Sequence, residues 1–206
     1  ESFKVKEDEI IFTSCGSEAN NMAIKGTAFQ YQNRGKHIIT TAIEHSSVYE
    51  TCKELEKFFG FEVTYLGVDH KGRISLEELE KSIRDDTILV SIMYVNNEIG
   101  VINPIDEIKK IVKKYDKVKL HFDMVQALGK LPIDLNDVDL ASFSAHKIYG
   151  LKGSGLLFKR RSTTIVPLIS GGQQEFSLRG GTSNACTNIV FAKTLRLALD
   201  NFEQKN

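Results

Sequence analysis

Short apolar segments and amphipathic segments alternate along most of this chain. The apolar segments are rich in β-branched residues and occupy residues 9–14, 36–42, 61–66, 87–95 and 118–123. The segments between them repeat their apolar positions with the 3.6-residue period of a helix, over residues 17–33, 46–59, 75–84 and 104–115. Strands that are apolar throughout and separated by helices indicate a mostly parallel sheet covered on both faces. We therefore predict an α/β fold, a three-layer α/β/α sandwich.

The pattern changes after Asp123. Glycine-containing turns join three shorter apolar segments, predicted as strands near residues 138–143, 154–159 and 164–169. Some of these strands are expected to pair in the antiparallel direction. Residues 183–206 then form one long amphipathic segment, predicted as a helix that continues to the last residue.

Composition excludes several classes of protein. The 206 residues suffice for one large domain, and their 27 basic and 27 acidic residues cancel, which disfavours a nucleic-acid partner or an anionic membrane surface. The longest apolar runs span about nine residues, far below the roughly 20 that cross a bilayer. The three cysteines are too widely spaced to predict a disulfide framework or a zinc site. With no signal segment at its start, the chain is expected in the cytoplasm, without a metal.

Chemistry is expected where the parallel strands end, because ligands of such sheets bind outside the carboxyl ends of the strands. After the first strand, "TSCGSEANN" places Gly16 and Ser17 at the start of a helix, where free N–H groups could hold an anion. An ordinary helix cap explains these residues as well. His45 follows the second strand, although a lone histidine is more often structural than catalytic.

Two further strand ends carry polar side chains. In "NNEIG", Asn97 precedes a glycine, which turn formation alone would explain. Asp123 ends the strand "VKLHFD", and Gln126 follows three residues later. An aspartate at the end of a buried strand needs a cation or several hydrogen-bond donors, so Asp123 indicates a site more strongly than the amides do.

Lys147 lies in "SFSAHKIYGLKGSG", directly after another apolar segment. A lysine beside the core is costly unless it is paired, and the loss of its charge makes the amine a nucleophile. The alternative is an amine that reaches solvent along its apolar stem. However, the anion cradle, the histidine, the amides, the aspartate and the lysine are all predicted at one edge of one sheet. Pyridoxal 5'-phosphate needs this set: an anchored phosphate, a carboxylate for the ring nitrogen and a lysine for the Schiff base.

Six segments carry a resemblance to a known family: "FTSCGSEANN", "EHSSV", "VNNEIGVINPI", "HFDMVQALGKLPID", "SFSAHKIYGLKG" and "LRGGTSN". In order and spacing they resemble the cysteine desulfurases of the NifS and IscS type, which belong to the class V aminotransferase group of fold-type I enzymes. The resemblance implies a PLP-dependent homodimer that takes sulfur from L-cysteine, leaves L-alanine and carries the sulfur as an enzyme persulfide. It further implies delivery of that sulfur to iron–sulfur scaffold proteins or to tRNA thiolation.

The resemblance also implies residue roles. Lys147 would form the Schiff base and Asp123 would pair with the pyridinium nitrogen, while His45 would stack on the ring and take part in proton transfer. Asn97 and Gln126 would contact the polar edge of the cofactor. The phosphate would be held by Gly16, Ser17, Ser144 and His146, joined across the homodimer by Thr182 of the second copy.

Departures from the family limit these expectations. Cys15, Gly16 and Ser17 stand where the family has Gly-Ala-Thr, and serine retains the hydroxyl group. Neither the persulfide cysteine loop nor the substrate arginine is recognised in residues 1–206, which we therefore expect to be the large domain, truncated at both ends, without the small C-terminal domain. Cys52 and Cys186 are predicted to be small buried hydrophobes, and Cys15 alone is expected near the site.

Two alternatives remain open from the sequence. The chain could belong to a selenocysteine lyase or to another class V enzyme, because the predicted cofactor residues do not distinguish these substrates. It could also be a non-catalytic module that dimerises and binds a partner without turnover.

Overall fold

The computed structural model describes residues 3–205, and the side chains of residues 3–202. Its seven strands are β1 (Ile10–Thr13), β2 (His37–Thr41), β3 (Glu62–Leu66), β4 (Thr87–Met93), β5 (Lys119–Asp123), β6 (Leu140–Ser144) and β7 (Gly155–Lys159). Its five α-helices are α1 (Gly16–Tyr31), α2 (Ser46–Phe59), α3 (Leu76–Ser82), α4 (Ile105–Val112) and α5 (Ala185–Lys205). Three 3₁₀ turns cover Glu7–Glu9, Ala145–Ile148 and Gln174–Ser177.

The strands form one mixed sheet in the order β1-β7-β6-β5-β4-β2-β3. The five strands from β3 to β6 are parallel, whereas β7 is antiparallel to both of its neighbours. Two antiparallel pairings in succession return β1 to the direction of the parallel strands, so the end of β1 lies at the same edge as the ends of β2, β4, β5 and β6. The predicted strand-end site thus includes β1.

Alternate residues of each strand face two separate cores, as expected for a sheet with helices on both faces. On one face, Ile38 and Leu89 pack with apolar residues of α1 and α2. On the other face, their neighbours Ile39 and Val90 pack with residues of α3, α4 and α5. The prediction of a three-layer sandwich with a mostly parallel sheet is therefore confirmed.

One predicted strand is wrong. Residues 164–169 form an irregular segment that crosses α1 instead of adding to the sheet. The Val166 amide donates to the Gly26 carbonyl (3.0 Å), and Ile165 is buried against α1. A Cβ on Gly26 would approach both Ile165 Cβ and Val166 O at 3.0 Å, so glycine permits this contact. The apolar run is buried by a helix, and Pro167 lacks the N–H that a sheet partner would need.

Candidate active site

A cavity of about 160 Å³ opens at the carboxyl ends of the strands. The first turn of α1, the start of α2, the ends of β4 and β5 and the turn after β6 form its wall. Nine of the ten predicted site residues line it: Gly16, Ser17, His45, Asn97, Asp123, Gln126, Ser144, His146 and Lys147. Gly16 and Lys147, the first and last of these residues in the sequence, are 131 positions apart, and the fold brings them to one cavity.

The N-terminus of α1 presents main-chain donors to this cavity. No side chain caps the helix, and the first helical bond runs from the Ala19 amide to the Cys15 carbonyl (3.2 Å). The amides of the three residues between them have no acceptor in the described part of the chain. A Cβ on Gly16 would lie 2.9 Å from Val125 Cγ2 and 3.3 Å from Ser144 Cβ, so glycine is needed where α1 meets β6. Unpaired amides at a helix N-terminus favour an anion.

Ser144 and His146 lie beside this helix end. Ser144 Oγ and His146 Nδ1 are 2.8 Å apart and share a hydrogen bond. Burial lowers the pKa of His146, and the positive charges of Lys147 and Lys152 lower it further. His146 is therefore neutral at neutral pH, so one of its ring nitrogens can donate a hydrogen bond to an anion while the other pairs with Ser144.

Lys147 lies on the 3₁₀ turn Ala145–Ile148, which follows β6 directly. Two features close this turn tightly: Tyr149 adopts a left-handed conformation with φ of 65°, and the Gly150 amide donates to the Ala145 carbonyl (2.9 Å). A Cβ on Gly150 would lie 2.8 Å from that carbonyl oxygen. Lys147 is half-buried, and no residue in the described ranges forms a hydrogen bond or ion pair with its amine.

Asp123 is buried at the end of β5, with 6% of its surface exposed. Its Oδ1 accepts from the Val125 amide (3.0 Å) and its Oδ2 from Asn20 Nδ2 (2.7 Å). Burial raises the pKa of Asp123, and the two hydrogen bonds and the nearby His45 oppose that rise only in part. No lysine or arginine in the described part of the chain forms an ion pair with Asp123. A bound ligand with a positive charge could therefore compensate the buried carboxylate.

His45 caps the start of α2. Its Nδ1 accepts from the Ser47 amide (3.1 Å) and lies 2.8 Å from Ser47 Oγ. Asn20 Nδ2, which contacts Asp123, also donates to Ser47 Oγ (2.9 Å). Hydrogen bonds thus connect the histidine at one strand end to the aspartate at another.

The two asparagines after β4 differ in their contacts. Asn96 is buried, and its Oδ1 accepts from the amides of Glu98 and Ile99 (2.9 Å each), so it forms the turn. Asn97 lines the cavity. At the far wall, Gln126 Oε1 accepts from Lys130 Nζ (3.0 Å), which leaves the Gln126 amide nitrogen free to donate.

Glu44 is an acid that sequence reasoning missed, half-buried as a residue but with an enclosed carboxyl oxygen. Its Oε1 accepts from the Met93 amide (3.0 Å) and from Thr41 Oγ1 (2.8 Å), while its buried Oε2 has no partner in the described chain. Burial raises the pKa of Glu44 to about 8, and the neighbouring Asp123 carboxylate adds to the rise. Glu44 is therefore largely protonated at neutral pH, and it joins the end of β4 to the end of β2.

Sequence reasoning also missed Asn20 and Ser47. Asn20 follows Ser17 by three residues, so helical spacing places both on one face of α1. Ser47 follows His45 by two residues, the spacing of a side chain that accepts from a main-chain amide near a helix start. Both signals exist in the sequence, but helix capping and helical packing account for them equally well, and the contact between α1 and α2 decides their role.

Thr182 does not line the cavity. It is exposed, next to Ser14, Gly153 and Arg179, in a depression just before α5. Its predicted role required a second copy of the chain, so this remains a prediction. The described residues contain no helix long and apolar enough to cross a membrane, and no group of three or more histidine, cysteine or acidic side chains close enough to bind a metal.

The cysteines follow the predictions in two cases of three. Cys52 is fully buried between α1, α2 and the sheet, and Cys15 lines the cavity. The prediction for Cys186 is wrong, because its side chain is exposed. It precedes Phe191, which faces the core, by five residues, which turns it about 140° away around α5.

Comparisons with known proteins identify the family of this chain. The family described as Aminotransferase class-V matches residues 1–205. The chain belongs to the class-V aminotransferase family. Among its relatives, a protein named cysteine desulfurase IscS from Dictyoglomus turgidum is 53% identical over 196 residues, which cover 94% of this chain and 49% of that protein. Another protein named cysteine desulfurase IscS, from Methanosarcina thermophila, is 49% identical over 98% of this chain and 50% of its own length.

Solved structures place this class-V aminotransferase chain among NifS-like proteins. A structure titled NIFS-LIKE PROTEIN matches with a TM-score of 0.95 and 44% identity, over 98% of this chain and 56% of that one. A structure titled "SspA in complex with cysteine" matches with a TM-score of 0.88 and 42% identity, over 97% of this chain and 57% of the other. The chain spans about half the length of the curated relatives it matches.

Proposed function

We propose that this chain binds pyridoxal 5'-phosphate and carries the cofactor half of the active site of a cysteine desulfurase. The observation that carries the proposal is one cavity that holds an unpaired lysine amine at Lys147, a buried carboxylate without a cation at Asp123 and the uncapped N-terminus of α1. These three features match, in order, the aldehyde, the pyridinium nitrogen and the phosphate of this cofactor.

The phosphate would bind at the N-terminus of α1. The amides of Gly16 and Ser17 and the Ser17 hydroxyl would supply donors, and the hydrogen-bonded pair of Ser144 and neutral His146, beside the same helix end, would supply one more. Thr182 of a second copy would complete the set in a homodimer.

The ring would lie between Asp123 and the mouth of the cavity. Asp123 would hold a proton on the ring nitrogen, because a cation at that position offsets the cost of its buried carboxylate. His45 would contact the ring, and Asn97 and Gln126 would donate to its polar edge. When bound, the cofactor supplies an electron-withdrawing ring for chemistry at the α-carbon of an amino acid. Lys147 would bind the cofactor aldehyde covalently and move protons at that carbon with its amine.

L-cysteine is the proposed substrate and L-alanine the proposed product. The support is the similarity to relatives named cysteine desulfurase and to the structure whose title includes cysteine. We propose no persulfide role for the cysteines of residues 1–206: Cys52 is buried, Cys186 does not line the cavity, and Cys15, which does, directly precedes the helix N-terminus where the cofactor phosphate would bind. We further propose that the sulfur is transferred to an iron–sulfur scaffold protein or to tRNA thiolation. We also propose that the protein is a homodimer in the cytoplasm.

Covalent trapping tests the lysine. After incubation with pyridoxal phosphate and reduction with borohydride, we expect the cofactor to be attached to the peptide that contains Lys147, as seen by mass spectrometry. Lys147→Ala should lose both the attachment and the visible absorbance. Lys81→Ala, at an exposed lysine of α3 paired with Glu77, is the matched control and should retain both. Attachment at other lysines only, or absorbance that persists in Lys147→Ala, would remove Lys147 from its role.

Product analysis tests the reaction. The full-length protein should form alanine from L-cysteine in the presence of the cofactor. A higher kcat/KM for L-selenocysteine would favour the lyase alternative, and cofactor binding without alanine formation would favour a non-catalytic module.

A further inference from the structure

A buried asparagine of α1 bridges two residues of the proposed site. The Asn20 side chain is 1% exposed, and its Nδ2 donates both to Asp123 Oδ2 (2.7 Å) and to Ser47 Oγ (2.9 Å). A carboxylate only accepts hydrogen bonds, so the nitrogen end of the amide must face Asp123. The other end, Oδ1, is buried without a partner in the described chain. Burial of Oδ1 without a partner costs free energy, and the two hydrogen bonds from Nδ2 offset that cost.

The hydrogen bonds from Asn20 run in one direction. Ser47 Oγ accepts from Asn20, so its own hydrogen is available for His45 Nδ1, which lies 2.8 Å away. The Ser47 main-chain amide donates to the same Nδ1 (3.1 Å). Two donors directed at Nδ1 require a lone pair there, and a neutral imidazole with a lone pair on Nδ1 carries its hydrogen on Nε2.

We propose that Asn20 and Ser47 are positioning residues that hold His45 in the Nε2-protonated tautomer and Asp123 in one orientation, as a single hydrogen-bonded unit. A histidine in this form donates a proton from Nε2 and cannot accept one there. Uptake of a proton at Nδ1 would break the bonds from the Ser47 hydroxyl and amide together. The tautomer follows from contacts of this chain alone, whereas its effect on the cofactor rests on the proposed function.

The tautomer can be measured without cofactor or substrate. Two-bond ¹H–¹⁵N correlation spectra of the histidine-labelled protein show which ring nitrogen carries hydrogen. His70 is exposed and has no hydrogen bond in the described chain, so it serves as an internal reference for a solvated ring. We expect a single Nε2-protonated form for His45 and a mixture for His70.

Four variants test the two positioning residues. Ser47→Ala and Asn20→Leu should raise the share of Nδ1-protonated His45 at least about twofold, toward the mixture at His70. Ser47→Thr retains the hydroxyl group and should restore the single form. Asn21→Leu, at the next residue of α1, removes an amide that donates only to the Ser17 carbonyl, and it should leave His45 unchanged. A hydrogen on His45 Nδ1 in the unaltered protein would overturn the proposal. An unchanged His45 in Ser47→Ala, or an unchanged His45 in Asn20→Leu, would overturn it as well.

Cofactor binding gives a second readout. Asn20→Leu removes a hydrogen bond to a charged carboxylate and should weaken pyridoxal phosphate binding roughly tenfold, whereas Asn21→Leu should leave binding unchanged. The two failures are distinguishable. No binding by the unaltered protein, together with a single His45 tautomer, contradicts the proposed function only. Normal binding with a mixed tautomer contradicts the positioning role only.

Discussion

Gly155, the first residue of β7, lies directly against the Cys15 main chain: a Cβ built on Gly155 would be 2.5 Å from the Cys15 carbonyl carbon and 2.8 Å from its oxygen. Cys15 is the residue before α1, so this contact sets where the helix N-terminus lies relative to the sheet. The position of the proposed phosphate site therefore depends on the absence of one side chain at residue 155.

Gly155→Ala is expected to destabilise the protein by about 1–3 kcal/mol, because main-chain atoms must move to admit the methyl group. It should also weaken pyridoxal phosphate binding by displacing the α1 amides. Urea unfolding and cofactor titration measure the two effects. Gly67→Ala is the matched control, since a Cβ there meets nothing within 4 Å. Equal stability and binding in the two variants would contradict the dependence on Gly155.

Glu44→Gln is expected to reduce the loss of stability that a rise in pH from 5.5 to 7.5 causes. Burial raises the pKa of Glu44 to about 8, above its ordinary value of 4.5. Between these values the folded protein holds a proton that the unfolded chain releases, so stability falls as pH rises. Glutamine resembles the protonated acid and does not titrate. The change in unfolding free energy between pH 5.5 and pH 7.5 should therefore shrink by roughly 2 kcal/mol. The same change in both proteins would show that Glu44 is ionised when folded.

His121→Gln should affect stability in acid. The imidazole is fully buried between Ser91 Oγ (2.8 Å) and Ser142 Oγ (2.9 Å), and burial lowers its pKa from 6.5 to about 3. Its contribution is fully present above pH 6.5 and is lost as pH falls toward 3, because the unfolded chain takes up a proton first. His121→Gln should lower the free energy of unfolding at pH 7.5. It should also make the fall of that free energy below pH 6 less steep, by about 1.4 kcal/mol per pH unit.

His70→Gln, at an exposed histidine without a hydrogen bond from its ring in the described chain, controls for the His121 experiment and should leave stability at pH 7.5 unchanged. An unaltered acid slope in His121→Gln would mean that this histidine is not neutral in the folded protein.

The three cysteines should react at different rates with iodoacetamide. Cys186 is exposed and should react quickly, whereas Cys52 is fully buried, and burial raises the pKa of its thiol, so it should not react in the folded protein. Cys15 lines the cavity and should react at an intermediate rate. Pyridoxal phosphate at ten times its dissociation constant should slow the reaction of Cys15 roughly tenfold and leave Cys186 unaffected, as mass spectrometry can show. Equal protection of both would contradict a cofactor beside Cys15.

Apolar periodicity predicted most of the fold. All seven observed strands and all five helices fall on segments that the pattern indicates, because buried parallel strands and amphipathic helices differ clearly in period. The pattern failed at residues 164–169. A short apolar run shows that a segment is buried, but it does not show whether the segment pairs with a strand or packs against a helix. It failed at Cys186 for a related reason: the period of a helix gives its faces, but the α5 side chains described as packing on the main core begin at Phe191 and continue with Leu195, Ala198 and Leu199, so Cys186 precedes them.

The site could be predicted as far as strand ends define it. Asp123 ends one predicted strand and Lys147 follows another, and the parallel pairing of β5 with β6 in the structure places them at one edge. The partners of these residues could not be predicted in the same way. Asn20 contacts Asp123, 103 positions away in sequence, and it also contacts Ser47, 27 positions away. Both contacts arise from the packing of α1 on α2 and the sheet. A local sequence pattern does not predict contacts between residues so far apart in sequence.

The pairing of β1 with β7 has a consequence for how the protein is made. Ile10 pairs with Phe158, and Thr13 with Gly155, so within the described sheet the strand that leads into α1 takes its neighbour from residues synthesised some 140 positions later. Contacts of such long sequence separation form slowly. A nascent chain can therefore pair β2 to β6 before β1 has its neighbour β7, and the proposed phosphate site at the start of α1 takes its final position only after residues 155–159 have been synthesised.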